Sequence, residues 1–306
     1  MSARERGVAA ITAILIVAVA ASAATLMLAQ QSAMVDQAML ITSRAQADLY
    51  ARAGIDWARG VLQEDSRTSR QVDFLGEAWA QPIAALPVER AMVSGSITDE
   101  QGKFNVNNLV RDNQRDNEAF LAFQRLLALR GLPAELADAV LDWIDADADL
   151  SGPGGAEDAY YLSLRRPYRA ANAEMVQIEE LYRVRGFDAA AVAKLRPYVT
   201  ALPGNTALNV NTASDVVIKA VLNAPDEAIA KFVRERAARP LVNASEMKER
   251  LQIAAAPVET LANVRSDFFS VRVQVAQDDV ELASEALVQR AVATGSPAIV
   301  LLRPRY

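Results

Sequence analysis

Val8 to Ala29 reads VAAITAILIVAVAASAATLMLA, apolar apart from Thr12, Ser22 and Thr25, and no charged residue occurs from Val8 to Val35. As a helix, such a run crosses a hydrocarbon core of about 30 Å. Ahead of it stands MSARERG, whose Arg4, Arg6 and terminal amine hold that end on the cytoplasmic side, which puts everything beyond about residue 30 across the membrane. The competing reading is a secretory signal peptide, since Ala21-Ser22-Ala23 offers an AxA-like cleavage context. The apolar run, however, exceeds the usual signal core of about 7 to 15 residues, and a helical pattern continues beyond it.

That continuation is amphipathic. Ile41, Ala45, Leu49, Ala53, Trp57 and Val61 recur every four residues, with Arg44, Asp48, Arg52 and Asp56 alternating in sign beside them. The spacing predicts one helix from about residue 9 to 63, on the order of 80 Å long. Half would lie in lipid, and half would pack on a soluble body through the apolar stripe.

Composition narrows what that body can do. The chain has 306 residues, 52% hydrophobic and 23% charged, enough for a large core, and a formal net charge of −6 that disfavours broad phosphate-backbone binding. It has no histidine and no cysteine. Ser-His-Asp and Cys-His catalysis, ordinary zinc sites, His- or Cys-ligated haem and disulfide scaffolds are therefore excluded, leaving carboxylates, hydroxyls, Lys and Arg for any chemistry.

A short basic leader ending in Gly7, followed at once by a membrane helix that runs into a soluble domain, resembles the type IV pilin class of prepilin peptidase substrates. Cleavage after Gly7 would make Val8 the first mature residue. The fifth mature residue, usually Glu in that class, is Thr12 here. This departure and the chain's size point within that class to the protein K family of type II secretion systems, the large minor pseudopilins. The resemblance runs through KFNVNNL (103–109), LDWIDADADLSGPGGAEDAYYLSL (141–164), PYRAAN (167–172), EELYRVRGF (179–187) and LNVNTAS (208–214). It implies an α+β fold in which a pilin-like N-terminal helix packs on an antiparallel sheet, with a large inserted all-helical, SAM-like region. It also implies a place at the pseudopilus tip beside minor pseudopilins I and J. The protein would be single-pass in the inner membrane, with its N-terminus cytoplasmic and its soluble part periplasmic. Thr12 fits a first subunit, which need not neutralise the amine of a neighbour placed before it.

The pattern divides into a leader (1–7), a transmembrane half-helix (8–30), a periplasmic helix with the first strands (31–105), an inserted helical domain (106–207), a second helical unit (208–265) and terminal strands (266–306). Val93–Ile97 and Lys103–Val106 around Asp99-Glu100-Gln101-Gly102 read as a hairpin. Phe269, Val271, Val273 and Val275 alternate with polar residues, Leu282 to Val292 is a partner for them, and Ile299 to Leu302 is a last strand. Phe104-Asn105-Val106-Asn107 and Leu208-Asn209-Val210-Asn211 share the pattern apolar-Asn-Val-Asn, as expected of a duplicated helical unit.

The densest carboxylate group is Asp142, Asp145, Asp147 and Asp149, followed by Ser151-Gly152-Pro153-Gly154-Gly155 and by Glu157-Asp158. Hard oxygens on a glycine-permitted loop suit Ca²⁺, which takes six to eight of them at about 2.3–2.6 Å. Pro153 and the missing sixth-position glycine exclude an EF-hand. Asp145, Asp147, Asp149, Glu157 and Asp158 are the candidate ligands, with Asn172 and Asp142 as weaker ones, and the family resemblance also implies calcium. The plain alternative is a solvated acidic loop. Two other function classes compete with this reading. Paired carboxylates suit a glycosidase, but aromatics total only 6%. LNVNTASDVVIKAV with FVRERAARPLVNASEMKERL (232–251) is similar to DNA-binding helix-hairpin-helix units, yet Asn223-Ala224-Pro225-Asp226-Glu227 lacks the hairpin glycine and adds two acids, which disfavours phosphate.

Overall fold

In the computed structural model the described residues are 3–68, 72–253, 258–290 and 297–305, so Met1 and Ser2 of the leader and Ala291 and Val292 of the expected strand lie outside them. Helix α1 (Ala3–Thr68) is 66 residues long and takes in the backbone of Gly7 and Val8 without a break. No proline interrupts the chain before Pro82. Ser66 and Thr68 hydroxyls turn back onto the Gln63 and Glu64 carbonyls as the helix ends.

Five antiparallel strands make the sheet, in the order β1 (Ile83–Val88), β2 (Ala91–Asp99), β9 (Phe268–Gln277), β10 (Val280–Gln289) and β11 (Ala298–Arg305). Register is set by Val93↔Val275, Gly95↔Val273 and Ile97↔Val271 between β2 and β9. Along β9, Phe269, Val271, Val273 and Val275 are buried in one cluster with Ala47, Ala51, Ile55, Ala58 and Leu62 of α1. A Cβ on Gly54 would sit 2.9 Å from Val273 Cγ1, so helix and sheet meet closely enough to require small side chains there.

This corrects the expected packing face. Ile41, Leu49 and Trp57 of the stripe stay outside the core, with 61%, 63% and 55% of their surface exposed, and Trp57 stands at the rim of a cleft with Ile83 and Leu86 of β1. Close approach of helix to sheet selects Ala and Gly at 47, 51, 54 and 58, with Ile55 and Leu62 as the large residues that enter the core and Val61 packed at its edge.

The expected hairpin at 93–106 is also corrected. β2 pairs instead with β1, through the turn at Glu89-Arg90. Asp99 then accepts from the Gln101 amide to start a 3₁₀ turn, Glu100–Gly102, that carries the chain out of the sheet. β3 (Phe104–Asn105) pairs in parallel with β6 (Val199–Thr200), and β7 (Leu208–Asn209) pairs in parallel with β8 (Ala262–Asn263); β4 (Val110–Arg111) and β5 (Gln114–Arg115) form a small ribbon.

Between the halves of the sheet lie α2 (Asn117–Leu129), α3 (Leu136–Ile144), α4 (Asp158–Leu162), α5 (Ala189–Leu195), α6 (Asp215–Leu222), α7 (Asp226–Glu235), α8 (Ala244–Leu251) and α9 (Val258–Leu261), around a second core that includes Phe123, Leu127, Trp143, Tyr161, Ile218 and Phe232. Polar side chains start four of these eight helices: Asp116, Asp188, Ser214 and Asn243 each accept from a first-turn amide.

The insertion lies at one pole of the sheet. Ser43 of α1 hydrogen-bonds Asp278 in the β9–β10 turn, whereas Asp65, near the other end of α1, pairs with Arg290 just past β10. β2 ends and β9 begins at the Asp65 pole, since Asp99 is opposite Phe269. The helical region therefore sits at the end of the body farthest from the apolar half of α1.

Candidate functional site

The acidic loop leaves the C-terminus of α3 at Asp145 and returns at Glu157 before α4. Asp142 (fully buried), Asp145 and Glu157 lie inside, while Asp147 is exposed. Backbone amides satisfy part of the group: Ser151 donates to Asp142 Oδ1 at 2.9 Å and Gly154 to Asp138 Oδ2 at 3.1 Å. Cβ atoms at Gly152 and Gly155 would clash with Asp138 and Asp142 carboxylate oxygens, so the glycines let this loop close over buried acids.

Five buried oxygens in this region have no hydrogen-bond partner: Asp142 Oδ2, Asp145 Oδ1, both oxygens of Glu157, and Asn172 Oδ1. Orphaned buried acceptors are costly, and clustered ones of like charge are more so. Burial pushes the Asp145 carboxyl up to about 7, and the charges of Asp147 and Asp142 push the same way. Burial also pushes Glu157 up to about 7, with Asp142, Asp145 and Asp147 adding to it. Asp142 is raised by burial as well, against the hydrogen bonds from Ser151. Asn172, held at φ 43°, donates its amide to the Asp147 carbonyl at 2.7 Å, which brings the PYRAAN turn to the loop. These donors are hard oxygens, the type calcium takes, and part of them is left unsatisfied by the amides of Ser151 and Asp149, although no three of these acids bring carboxylate oxygens within 4.8 Å of one another.

The structure does not bring every candidate into that group. Asp158 accepts from the Ala170 amide at 3.0 Å and pairs with Arg169 at 3.4 Å, which employs it as a clamp on the turn. Asp149 is exposed, and its amide donates to Asp147 Oδ1. Asp142, the weaker sequence candidate, is central instead, because α3 turns it inward beside Asp145. Asp138, four residues earlier on the same face, was not selected from sequence, although its i, i+4 spacing from Asp142 was the available signal.

The outward side of α1 is a second candidate surface. Thr12 lies in the lipid-length apolar half, where Ile11, Ile14, Leu15 and Ile16 are exposed, and α1 is long and apolar enough to cross a membrane. The helix-hairpin-helix resemblance finds no phosphate cradle at α6–α7: Asn223 takes a left-handed conformation, and Lys219 spans to the Ala224 carbonyl and to Asp226.

Residues 102–204 match the family model described as type II secretion system (T2SS), protein K. The type II secretion system protein K of Pseudomonas aeruginosa is 40% identical over 228 residues, covering 71% of this chain and 68% of that protein. The protein K of Pectobacterium carotovorum subsp. carotovorum is 31% identical over 312 residues, covering 94% and 93%. The fold matches a chain in the crystal structure of the GspK-GspI-GspJ complex from the enterotoxigenic Escherichia coli Type 2 Secretion System, with a TM-score of 0.71 and 23% identity over 87% of this chain and 98% of that one. With a helix, sheet and helical insertion in common and relatives aligned over nearly their whole length, this membrane-anchored chain belongs to the type II secretion system protein K family.

Proposed function

We propose that this minor pseudopilin caps the type II secretion pseudopilus together with minor pseudopilins I and J, and that it acts by shape and contact rather than by catalysis. The observation that carries the reading is the position of the helical insertion, at the pole of the sheet opposite the apolar half of α1. A body that widens at its membrane-distal end leaves no room for a subunit stacked beyond it. The outward stripe Ile41, Leu49 and Trp57 supplies the apolar face through which its helix joins those of the partners. The structure whose fold matches is that of a GspK-GspI-GspJ complex, which supports I and J as the partners. Depleting the chain tests this: pseudopilus initiation should fall and secretion should stop. Initiation at the normal rate and length would overturn the tip reading.

Before assembly, prepilin peptidase cuts between Gly7 and Val8, and the mature protein stays in the inner membrane with its body in the periplasm. Continuity of α1 across both residues, with no break that would free the apolar half, supports retention of the anchor. Mass spectrometry of the mature chain should find Val8 first; an end near residue 24 would refute it.

Calcium is held by Asp142, Asp145, Asp147 and Glu157 with Asn172, locking the loop between α3 and α4. What supports this is the set of five orphaned buried oxygens. Asp145→Ala or Glu157→Ala should weaken calcium binding measured by calorimetry, and absence of binding at millimolar calcium would return the loop to a solvated acidic surface.

A further inference from the structure

A second acidic group lies far from the loop, where α1 ends against the sheet. Asp65, Asp73 and Glu77 each place one carboxylate oxygen within 4.8 Å of the other two, and among the described residues no other group of three acids does so. That ceiling is the span between two oxygens on opposite sides of a calcium ion bound at about 2.4 Å.

The group is buried. Asp73 is fully enclosed, Glu77 retains 8% of its surface, and Asp65 is the partly open member. Three acids meet one cation, Arg290, which donates to Asp65 Oδ2 at 2.7 Å, to Asp73 Oδ1 and Oδ2 at 2.7 and 2.6 Å, and to the Ser266 carbonyl at 2.6 Å. None of these bonds reaches Glu77. Its Oε2 accepts from the Phe74 amide at 2.9 Å and from Trp79 Nε1 at 2.8 Å, while Oε1 is buried with no hydrogen-bond partner. With all three acids ionised the cluster carries two negative charges beyond what Arg290 balances, burial and the charges of Glu77 and Asp73 push the Asp65 carboxyl up to about 7, and one acceptor of a nine-tenths-buried side chain has nothing to accept from. Burying unbalanced charge costs several kcal/mol per ion unless a counter-ion shares the site.

We infer that Asp65, Asp73 and Glu77 hold a hard divalent cation of the calcium class at the junction of α1, the sheet and the helical region. Glu77 Oε1 is its innermost ligand, Asp65 offers Oδ1, and Asp73 offers the lone pairs that Arg290 and the Ser266 amide leave over. Arg290 stays in place as the wall of the site, stacked 5.0 Å over the Phe269 ring. The ion would tie the end of the long helix to the loop that enters the sheet, independently of the acidic loop between α3 and α4.

The test uses the full chain in detergent micelles, with calcium alone as titrant in a calorimeter and terbium as a luminescent stand-in excited through tryptophan, since Trp79 is bonded to the ligand carboxylate. Whatever number of calcium ions the parent binds, Glu77→Gln should remove one equivalent, and Asp65→Asn should weaken that equivalent at least tenfold. The chain carrying Asp145→Asn and Glu157→Gln should keep it and its terbium signal. Gln keeps an oxygen for Phe74 and Trp79, and Asp65 is part-exposed, so at least one variant retains the fold as judged by circular dichroism. A parent that binds no calcium, or folded Glu77→Gln and Asp65→Asn variants with unchanged stoichiometry and affinity, would overturn the inference. If only the loop variant loses an equivalent, the loop site stands and this one falls.

Discussion

Asn107 and Asn211 do the same job in two places. Asn107 accepts from the Met175 amide at 2.9 Å and donates to the Met175 carbonyl at 2.9 Å; Asn211 accepts from the Leu241 amide at 2.8 Å and donates to the Leu241 carbonyl at 3.0 Å. Each follows an Asn that accepts from its amide, at 3.2 Å for Asn105 and 3.1 Å for Asn209, and each lies next to a short parallel strand pair. A carboxamide is the side chain that can satisfy both polar groups of a distant peptide at once. Replacing either by Ala leaves a buried N–H and C=O unpaired, so Asn107→Ala and Asn211→Ala should each cost roughly 2–4 kcal/mol in denaturant unfolding. Asn→Asp at either position should cost more, because the lost donor is replaced by a buried charge.

Asp99 joins the sheet to the second helical unit, and its ionisation sets a pH dependence. It is buried, and its Oδ2 accepts from Asn209 at 3.0 Å, Thr212 at 2.5 Å and Ser266 at 2.6 Å. Burial pushes its carboxyl up to about 6, while the Ser266, Thr212 and Gln101 hydrogen bonds pull it down and the Asp73 charge raises it. Between the ordinary carboxylate value near 3.9 and about 6, the folded chain holds this proton more tightly than the unfolded one, so stability from Asp99 is lost as pH rises through that window. Asp99→Asn should destabilise by about 1–3 kcal/mol at the acid end. The gap between parent and variant in urea unfolding should narrow as pH climbs from about 4 to 6. A gap that widens would reverse the sign argued here.

How much of this was visible in the one-dimensional chain depends on how local each signal is. α1 was legible because no proline interrupts it, its first half is free of charge from Val8 to Val35 and its second half keeps a helical spacing; β9 was legible because Phe269, Val271, Val273 and Val275 alternate cleanly. The paired Asn motifs were legible as four-letter similarity, and both prove to be braces. β1 was not legible: Ile83–Val88 is an edge strand carrying Pro87 and no alternation. The turn at Asp99–Gly102 looked like a hairpin because its composition suits one, and only the parallel partner at Val199–Thr200, far along the chain, shows that it leads elsewhere. The Asp65, Asp73 and Glu77 group had no sequence signature, since its balancing Arg290 lies 225 residues beyond Asp65.

Gly155 gives a direct handle on the acidic loop. A methyl group there would press on Asp142 Oδ2, and the backbone of Gly155 is tied to the loop by its amide to Gly152 and by its carbonyl to Arg185 at 2.7 Å. Gly155→Ala should therefore displace Asp142 without removing any carboxylate. The expected result is loss of calcium-dependent thermal stabilisation, with a smaller fall in the melting temperature of the calcium-free chain. Gly131→Ala serves as a control: its φ of 66° makes the substitution strained, but no atom lies within 4 Å of the new Cβ, so it should lower stability while leaving calcium dependence intact.

The two faces of α1 separate folding from assembly, because one is sealed against the sheet and the other carries large apolar residues in the open. Gly54 and Ala51 face the sheet, where added volume has nowhere to go: Val273 lies 2.9 Å from a Cβ at position 54, and Ala51 is fully buried. Ala51→Leu or Gly54→Leu should lift the helix from β9 and cost about 1–3 kcal/mol by overpacking. Leu49 and Trp57 lie off that face, more than half exposed, so Leu49→Ala should change unfolding by no more than about 0.5 kcal/mol and Trp57→Ala, at the rim of the cleft beside β1, by less than a core truncation. Their effect belongs instead to the filament. A cysteine-free chain permits single Leu49→Cys or Trp57→Cys probes, which should crosslink to a neighbouring pseudopilin in membranes, whereas Ala51→Cys, sealed against the sheet, should not. Secretion should fall with Leu49→Arg at unchanged protein level, and normal secretion in that variant together with an unreactive Trp57→Cys would show that this face meets no partner.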